Sequence, residues 1–138
     1  MVGDALTLPF PDERFDTVVS FAVLHHIPSR AYRIQFLREA ARVTKPKGMI
    51  ILTAWNVWRA KPWVVITFGL KKIFGLTRTD LGDAIIGFNN EKNVRFVHAL
   101  TKREIRSLAR EAGLTIERLE RIRRPSGEEN FFAIFRKR

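Results

Sequence analysis

Residues 15–27 read Phe-Asp-Thr-Val-Val-Ser-Phe-Ala-Val-Leu-His-His-Ile, and no other stretch narrows the fold as much. The first half is β-branched and apolar, without regular polar alternation. A strand reads this way when both of its faces are covered, as in a parallel α/β sheet. Two adjacent histidines follow, and then Pro28-Ser29, which ends the run and can open a helix. Open α/β sheets keep their chemistry at the carboxyl ends of such strands, so His25 and His26 are candidate functional residues.

The flanking chain repeats the pattern. Residues 1–10 read as the end of a strand and the loop after it, and Pro11-Asp12-Glu13-Arg14 as a turn. Ser29 is a candidate N-cap for a helix from Arg30 to about Val43, with Ile34, Leu37, Ala41 and Tyr32 on its apolar face. Lys45-Pro46-Lys47-Gly48 stops it, and residues 49–55 form a second continuous apolar strand. A right-handed crossover sets the two strands parallel in one sheet.

Residues 57–94 differ in character and read as a basic and aromatic insertion or lid. Lys61-Pro62 marks a boundary, and residues 63–74 can form one amphipathic helix. From residue 57 to 78 there are five basic side chains (Arg59, Lys61, Lys71, Lys72, Arg78) and no acidic one, with Trp58, Trp63 and Phe68 interleaved. That pattern suits either a helix packed on the sheet with its lysines in water or a surface facing nucleic acid. Residues 79–93, with Gly82, Gly87 and Asn89-Asn90, read as a loop. Beyond them, residues 94–100 are extended. Thr101 and Glu104 form a capping box for a helix with Ile105, Leu108, Ala109 and Ala112 inward, stopped at Gly113. Residues 114–122 and 131–135 read as an antiparallel hairpin.

Composition bounds the partners. The 138 residues suffice for one domain with a core, and 46% hydrophobic with 28% charged residues is a globular balance, not a disordered one. A net charge of +11 points to a polyanion, nucleic acid before an anionic membrane surface, unless the basic surface is simply solvated. There is no cysteine, so disulfides are excluded, and the three histidines leave little from which to build a metal site. The start shows no signal-peptide pattern, and the longest apolar stretch, residues 63–70, is too short to span a bilayer. The expectation is a cytoplasmic chain with no membrane partner.

Taken in combination, Gly-Asp-Ala-x-x-Leu-Pro-Phe, Phe-Asp-x-Val-Val-Ser, Leu-His-His-Ile, Arg38-Glu39-x-x-Arg42-Val43 and Lys45-Pro46-x-Gly48 resemble the class I S-adenosylmethionine-dependent methyltransferases. The resemblance runs from Gly3 to Trp55. It resumes more weakly from Arg95 to Lys137, where Arg95-Phe96-Val97-His98 before a helix ending Glu111-Ala112-Gly113 is similar to the tRNA wobble-uridine methyltransferases. It implies the carboxyl-terminal part of a Rossmann-like α/β sheet: parallel strands 4 and 5 of the family order 3-2-1-4-5-7-6, plus the antiparallel 6-7 hairpin. The amino-terminal strands and the glycine-rich cofactor loop have no counterpart, and no Gly-x-Gly occurs in the 138 residues. The edge of strand 4 is then bare, and a second copy or a complementing chain is expected to cover it.

The resemblance also implies contacts. Asp4 would accept a hydrogen bond from the cofactor's adenine, with the Ala5 backbone beside it, and Phe21 would line the methionine end. The bland readings are a turn cap for Asp4 and core packing for Phe21. His25 and His26 sit where substrate meets the methyl group, and Trp55, at the end of the neighbouring strand, is a substrate-binding candidate. A uridine side-chain carboxylate would need only orienting cations, for which Arg33 and Arg95 are candidates. A phenol, amine or carbon nucleophile would instead want a histidine base. Three readings stay open: a tRNA methyltransferase that in its family works with a small zinc-binding partner, a small-molecule methyltransferase of the same fold, and a non-catalytic half-domain that binds RNA or a partner.

Overall fold

A computed structural model describes residues 3–76, 80–88 and 93–137. Strand β1 (Phe15–Phe21) leads through a 3-10 turn (Leu24–His26) into helix α1 (Arg30–Val43), which returns to strand β2 (Thr44–Trp55). After the short helices α2 (Val57–Ala60) and α3 (Pro62–Ile73) come strands β3 (Asp83–Phe88) and β4 (Asn93–His98). Helix α4 (Lys102–Glu111) and the hairpin β5 (Leu114–Arg123) and β6 (Glu129–Lys137) complete the chain.

The main sheet has the order β1-β2-β6-β5, and β3-β4 form a separate two-stranded sheet. β1 runs parallel to β2, with Val19 opposite Ile51; β6 runs antiparallel to both β2 and β5. This matches the expected run of strands 4-5-7-6. α1 and α4 pack on one another and on the sheet, burying Leu37, Ile50, Leu52, Leu108 and Phe135 in one core. Each such side chain contributes about 1.5–3 kcal/mol of transfer free energy. The turn into β2 is tight: a Cβ on Gly48 would lie 2.9 Å from the Asp16 carbonyl oxygen and 2.8 Å from that of Lys45.

Four sequence expectations change. β1 is not covered on both faces: Val18 is half-buried whereas Val19 and Phe21 are 47% and 68% exposed. The helices pack on one side of the sheet, and among the described residues no strand pairs with the outer edge of β1. The inner face of α1 is Arg33, Phe36, Leu37, Ala40 and Val43, with Ile34 and Ala41 at its margin and Tyr32 exposed. A buried arginine on that face disguised the stripe. Residues 83–88 are a strand rather than a loop: Ala84 and Ile86 point inward and Ile85 outward, a period of two that the nearby glycines masked. Residues 79 and 89–92 of that expected loop, Asn89-Asn90 among them, and the basic residue Arg78 lie outside the described residues. Finally, the capping box is half-made. Thr101 Oγ1 accepts from the Glu104 amide at 3.1 Å, but the Glu104 carboxylate turns to His98.

The segment after β2 has its own small core. Val57 and Val65 pack with Ala84, Ile86, Val97 and Ala99, so α3 rests on the β3-β4 hairpin rather than on the main sheet. Among the described residues no helix is long and apolar enough to cross a membrane.

Candidate functional site

A cleft of about 360 Å³ opens at the carboxyl ends of β1 and β2, where the topology of an open α/β sheet leaves room for a ligand. Ala22, His25 and His26 line it from the β1 side, Trp55 from β2 and Lys61 from the α2–α3 junction. Ile86, Gly87 and Arg95 come from the β3-β4 hairpin, and Arg124, Glu128 and Asn130 from the β5–β6 turn. Thus the structure brings together His25, His26, Trp55 and Arg95, four of the residues singled out in the sequence.

The two histidines are held differently. His25 is 2% exposed, and its Nδ1 accepts the Trp55 amide hydrogen at 3.2 Å, so the neutral ring carries its proton on Nε2. Burial, with the neighbouring His26 and Arg95, pushes its pKa down to about 3. His25 is therefore uncharged at neutral pH and a weak base. His26 Nδ1 donates to the Phe96 carbonyl at 2.8 Å, which leaves Nε2 as the acceptor of the neutral ring. The two rings lie 4.1 Å apart, and the Trp55 ring meets His25 edge-on at 6.2 Å.

The cations divide. The Arg95 guanidinium stands over the Trp55 ring, 5.4 Å from its centroid, and so is aimed by an aromatic face. Lys61 and Arg124 share the cleft with it, and one carboxylate, Glu128, sits 3.5 Å from Arg124. The Trp55 Nε1 is buried with no hydrogen-bond partner among the described residues. Arg33 is elsewhere. It is 1% exposed, donates to the Ile27 carbonyl at 3.0 Å, and lies 3.5 Å from Asp80, 3.6 Å from Glu104 and 4.0 Å from Asp83. His98 completes that cluster, Nδ1 at 2.6 Å from Asp83 and Nε2 at 2.9 Å from Glu104. Burial by itself would lower the His98 pKa, but the two carboxylates outweigh it and raise the value. The cluster ties α1, β3, β4 and α4 together and so fixes the hairpin that carries Arg95. Arg33 holds the wall of the cleft rather than facing into it.

A second groove is apolar. Ala5 and Phe21 line this space of about 410 Å³ along β1, with Ser20, Phe36 and Val43. Asp4 Oδ1 caps its own turn, accepting the Leu6 amide at 2.9 Å. The loop is pinned by the Glu39 and Arg42 side chains. Glu39 accepts the Leu8 amide at 2.7 Å, and Arg42 donates to the Leu8 and Phe10 carbonyls at 3.1 and 2.9 Å. Arg42 also holds the Glu39 carboxyl below its ordinary pKa. This explains why an Arg-Glu-x-x-Arg helix accompanies a Gly-Asp-Ala loop. Ser20 Oγ, in the groove wall, is buried without a partner among the described residues.

Arg124, Glu128 and Asn130 escaped the sequence reading, and Lys61 entered it only as one of the five basic residues of the insertion. The available signal was the basic, glycine-containing turn Arg123-Arg124-Pro125-Ser126-Gly127, which the hairpin topology folds back to the end of β2.

Comparison with known proteins finds methyltransferase relatives. Residues 1–52 match the family model described as a methyltransferase domain. A human protein named probable tRNA methyltransferase 9B is 44% identical over 55 residues, 40% of this chain and 12% of its own length. An Arabidopsis thaliana tRNA (carboxymethyluridine(34)-5-O)-methyltransferase is 40% identical over 55 residues, 40% of this chain and 14% of its own. A Methanosarcina mazei protein described as a SAM-dependent methyltransferase superimposes on 99% of this chain and 66% of its own, with a TM-score of 0.77 and 23% identity. The chain thus spans about an eighth of the length of those curated relatives. Its stretch 1–52 matches the methyltransferase domain model, and its α/β fold with a mixed sheet is methyltransferase-like.

Proposed function

We propose that this chain belongs to an S-adenosylmethionine-dependent methyltransferase whose acceptor is a tRNA nucleoside bearing a carboxylate, of the carboxymethyl-uridine type. The observation that carries the reading is the cationic cleft at the ends of β1 and β2, with Arg95 aimed by Trp55 and with Lys61 and Arg124 around it. The net charge of +11 and the tRNA-directed names of two curated relatives support it.

The cofactor is S-adenosylmethionine. The residues present fit part of it: Ser20 Oγ is a buried polar atom with no partner among the described residues, Phe21 projects exposed beside it, and the Asp4 carboxylate would accept from the adenine amino group. When bound, the cofactor supplies a methyl group on a sulfonium with a neutral thioether leaving group, so a carboxylate acceptor forms its O–CH3 bond as the S–CH3 bond breaks and no proton changes hands. The protein's work is then positioning and exclusion of water. Arg95 and Lys61 orient the acceptor carboxylate through charge-assisted hydrogen bonds. Trp55 Nε1 offers a donor and His26 Nε2 an acceptor for a uracil edge. His25, neutral and bonded to the Trp55 backbone, spaces the two strand ends and is not a base. A phenolic small molecule would need a base such as His26 Nε2 to take its proton; what favours the anionic acceptor is the set of three cations, Lys61, Arg95 and Arg124, in the cleft. Lys61, Ile86 and Gly87 of the insertion line one wall of the cleft, which supports its reading as a lid. The open edge of β1 invites a second copy or a complementing chain, and the setting is the cytoplasm.

The test is a titration of the 138-residue chain with tRNA over a salt series. Affinity is expected to fall steeply with salt. Replacing both Lys61→Gln and Arg95→Gln is expected to weaken binding about tenfold or more and to cut the salt slope by about 2. Light scattering on the same samples is expected to give a mass above that of one chain. Equal affinity of variant and parent would remove the RNA reading, and a monomer throughout would remove the paired edge.

A further inference from the structure

Helix α3 is built inside out. Its inward side is Val65 with the half-buried Val64 and Phe68, yet its outward side is the larger apolar face. Trp63, Ile66, Leu70, Ile73 and Phe74 recur at i, i+3, i+7, i+10 and i+11, one stripe of a helix, and they are 79%, 42%, 49%, 72% and 74% exposed. Leu76 beyond the helix end is 74% exposed and extends the stripe. Isolated exposed apolar residues are ordinary, but a contiguous stripe along a whole helix marks an interaction surface. We propose that α3 docks this stripe in the plane of an anionic lipid surface.

Three features select that occupant. Cations lie close to the stripe: Arg59 and Lys61 precede the helix, Lys71 flanks it in the last turn with Lys72 on the opposite side, and residues 57–76 contain no acidic side chain. Large aromatics stand at both ends, Trp63 and Phe74, where ring systems settle at the boundary between headgroups and acyl chains. The helix has 12 residues, about 18 Å, which cannot cross a hydrocarbon layer but can lie along it. RNA fits less well. A nucleic-acid surface stacks bases on aromatic rings, whereas the centre of this stripe is Ile66, Leu70 and Ile73. Of the aromatics interleaved with the basic residues, Phe68 is turned inward, and the indole of Trp58 is tied to the Ala99 carbonyl at 3.0 Å. Trp63 and Phe74 face outward, but only at the two ends of the stripe. This departs from the sequence expectation of no membrane partner, because the chain would lie on a bilayer without spanning it. The stripe is distinct from the residues that line the cleft, so docking and tRNA binding can be tested separately.

The experiment is vesicle co-sedimentation of the 138-residue chain with neutral phosphatidylcholine and with phosphatidylcholine containing phosphatidylglycerol, alongside tryptophan emission. Binding to the anionic vesicles is expected, with a blue shift that Trp63→Phe removes. Leu70→Glu with Ile73→Glu is expected to weaken partition at least tenfold while leaving the circular dichroism and melting temperature unchanged, since both side chains are exposed. Lys71→Glu with Lys72→Glu is expected to weaken it by about tenfold or more. Absence of sedimentation with either vesicle would overturn the proposal. So would an apolar-to-Glu variant that loses tRNA affinity or self-association and keeps its vesicle binding.

Discussion

Acidification from pH 6.5 to 4 is expected to cost the folded chain about 3 kcal/mol through His25 alone. The sign follows from the two states. Folded His25 is held down to about 3 by burial, whereas the unfolded side chain takes a proton near its ordinary 6.5. Between those values the unfolded state binds more protons, so the contribution is fully present above pH 6.5 and is lost as the pH falls. His25→Asn keeps an acceptor for the Trp55 amide and removes the titration. Urea unfolding at pH 7, 5.5 and 4 should therefore show a steep acid loss in the parent that is flattened in this variant. The comparison is of slopes, because the ring packing lost in the variant shifts all pH values alike. Parallel slopes would show that His25 is not the buried neutral imidazole described above.

The second large effect lies away from the cleft. Arg33→Met should lower the unfolding free energy by about 3–5 kcal/mol, because it leaves the Ile27 carbonyl without its donor and Asp83 and Glu104 with one buried cation in place of two. The change should also loosen the β3-β4 hairpin, because Asp83 and His98 anchor its two strands to α1 and α4 through this cluster. Amide exchange should accelerate at Ala84, Ile86 and Val97 more than at Ile50 and Leu52 in the main core. A loss below about 1 kcal/mol, or uniform acceleration, would mean that Arg33 is not the tie between hairpin and core.

The main sheet was legible because its signals are local. Continuous apolar runs at residues 15–21 and 49–55, a capped helix between them and a final hairpin leave few topologies once the crossover must be right-handed. What failed was the part decided by distant partners. Arg33 was read as a ligand for substrate because an arginine on a helix gives no hint that three carboxylates from residues 80–104 will surround it. The buried face of α1 was misjudged for the same reason. The strand at residues 83–88 was lost behind Gly82 and Gly87. The cleft was half legible. His25, His26 and Trp55 follow from strand ends, and Arg95 from the resemblance, but Lys61 and Arg124 enter only when the insertion and the last turn fold over β2. The coupled imidazoles were visible as a pair, but which of them is buried was not.

The central claim is that the loop at Asp4, the tip of β1 and the histidine turn together form one methyl-transfer centre. Amide chemical-shift mapping with S-adenosylhomocysteine tests it most directly. Addition of the ligand should move the resonances of Asp4, Ala5, Ser20 and Phe21, with smaller shifts at His25 and His26, and leave the α3 stripe unmoved. No shift at Asp4, Ala5 and Phe21 at millimolar ligand, or shifts centred on another face, would contradict the account and leave a domain that carries the fold without the chemistry.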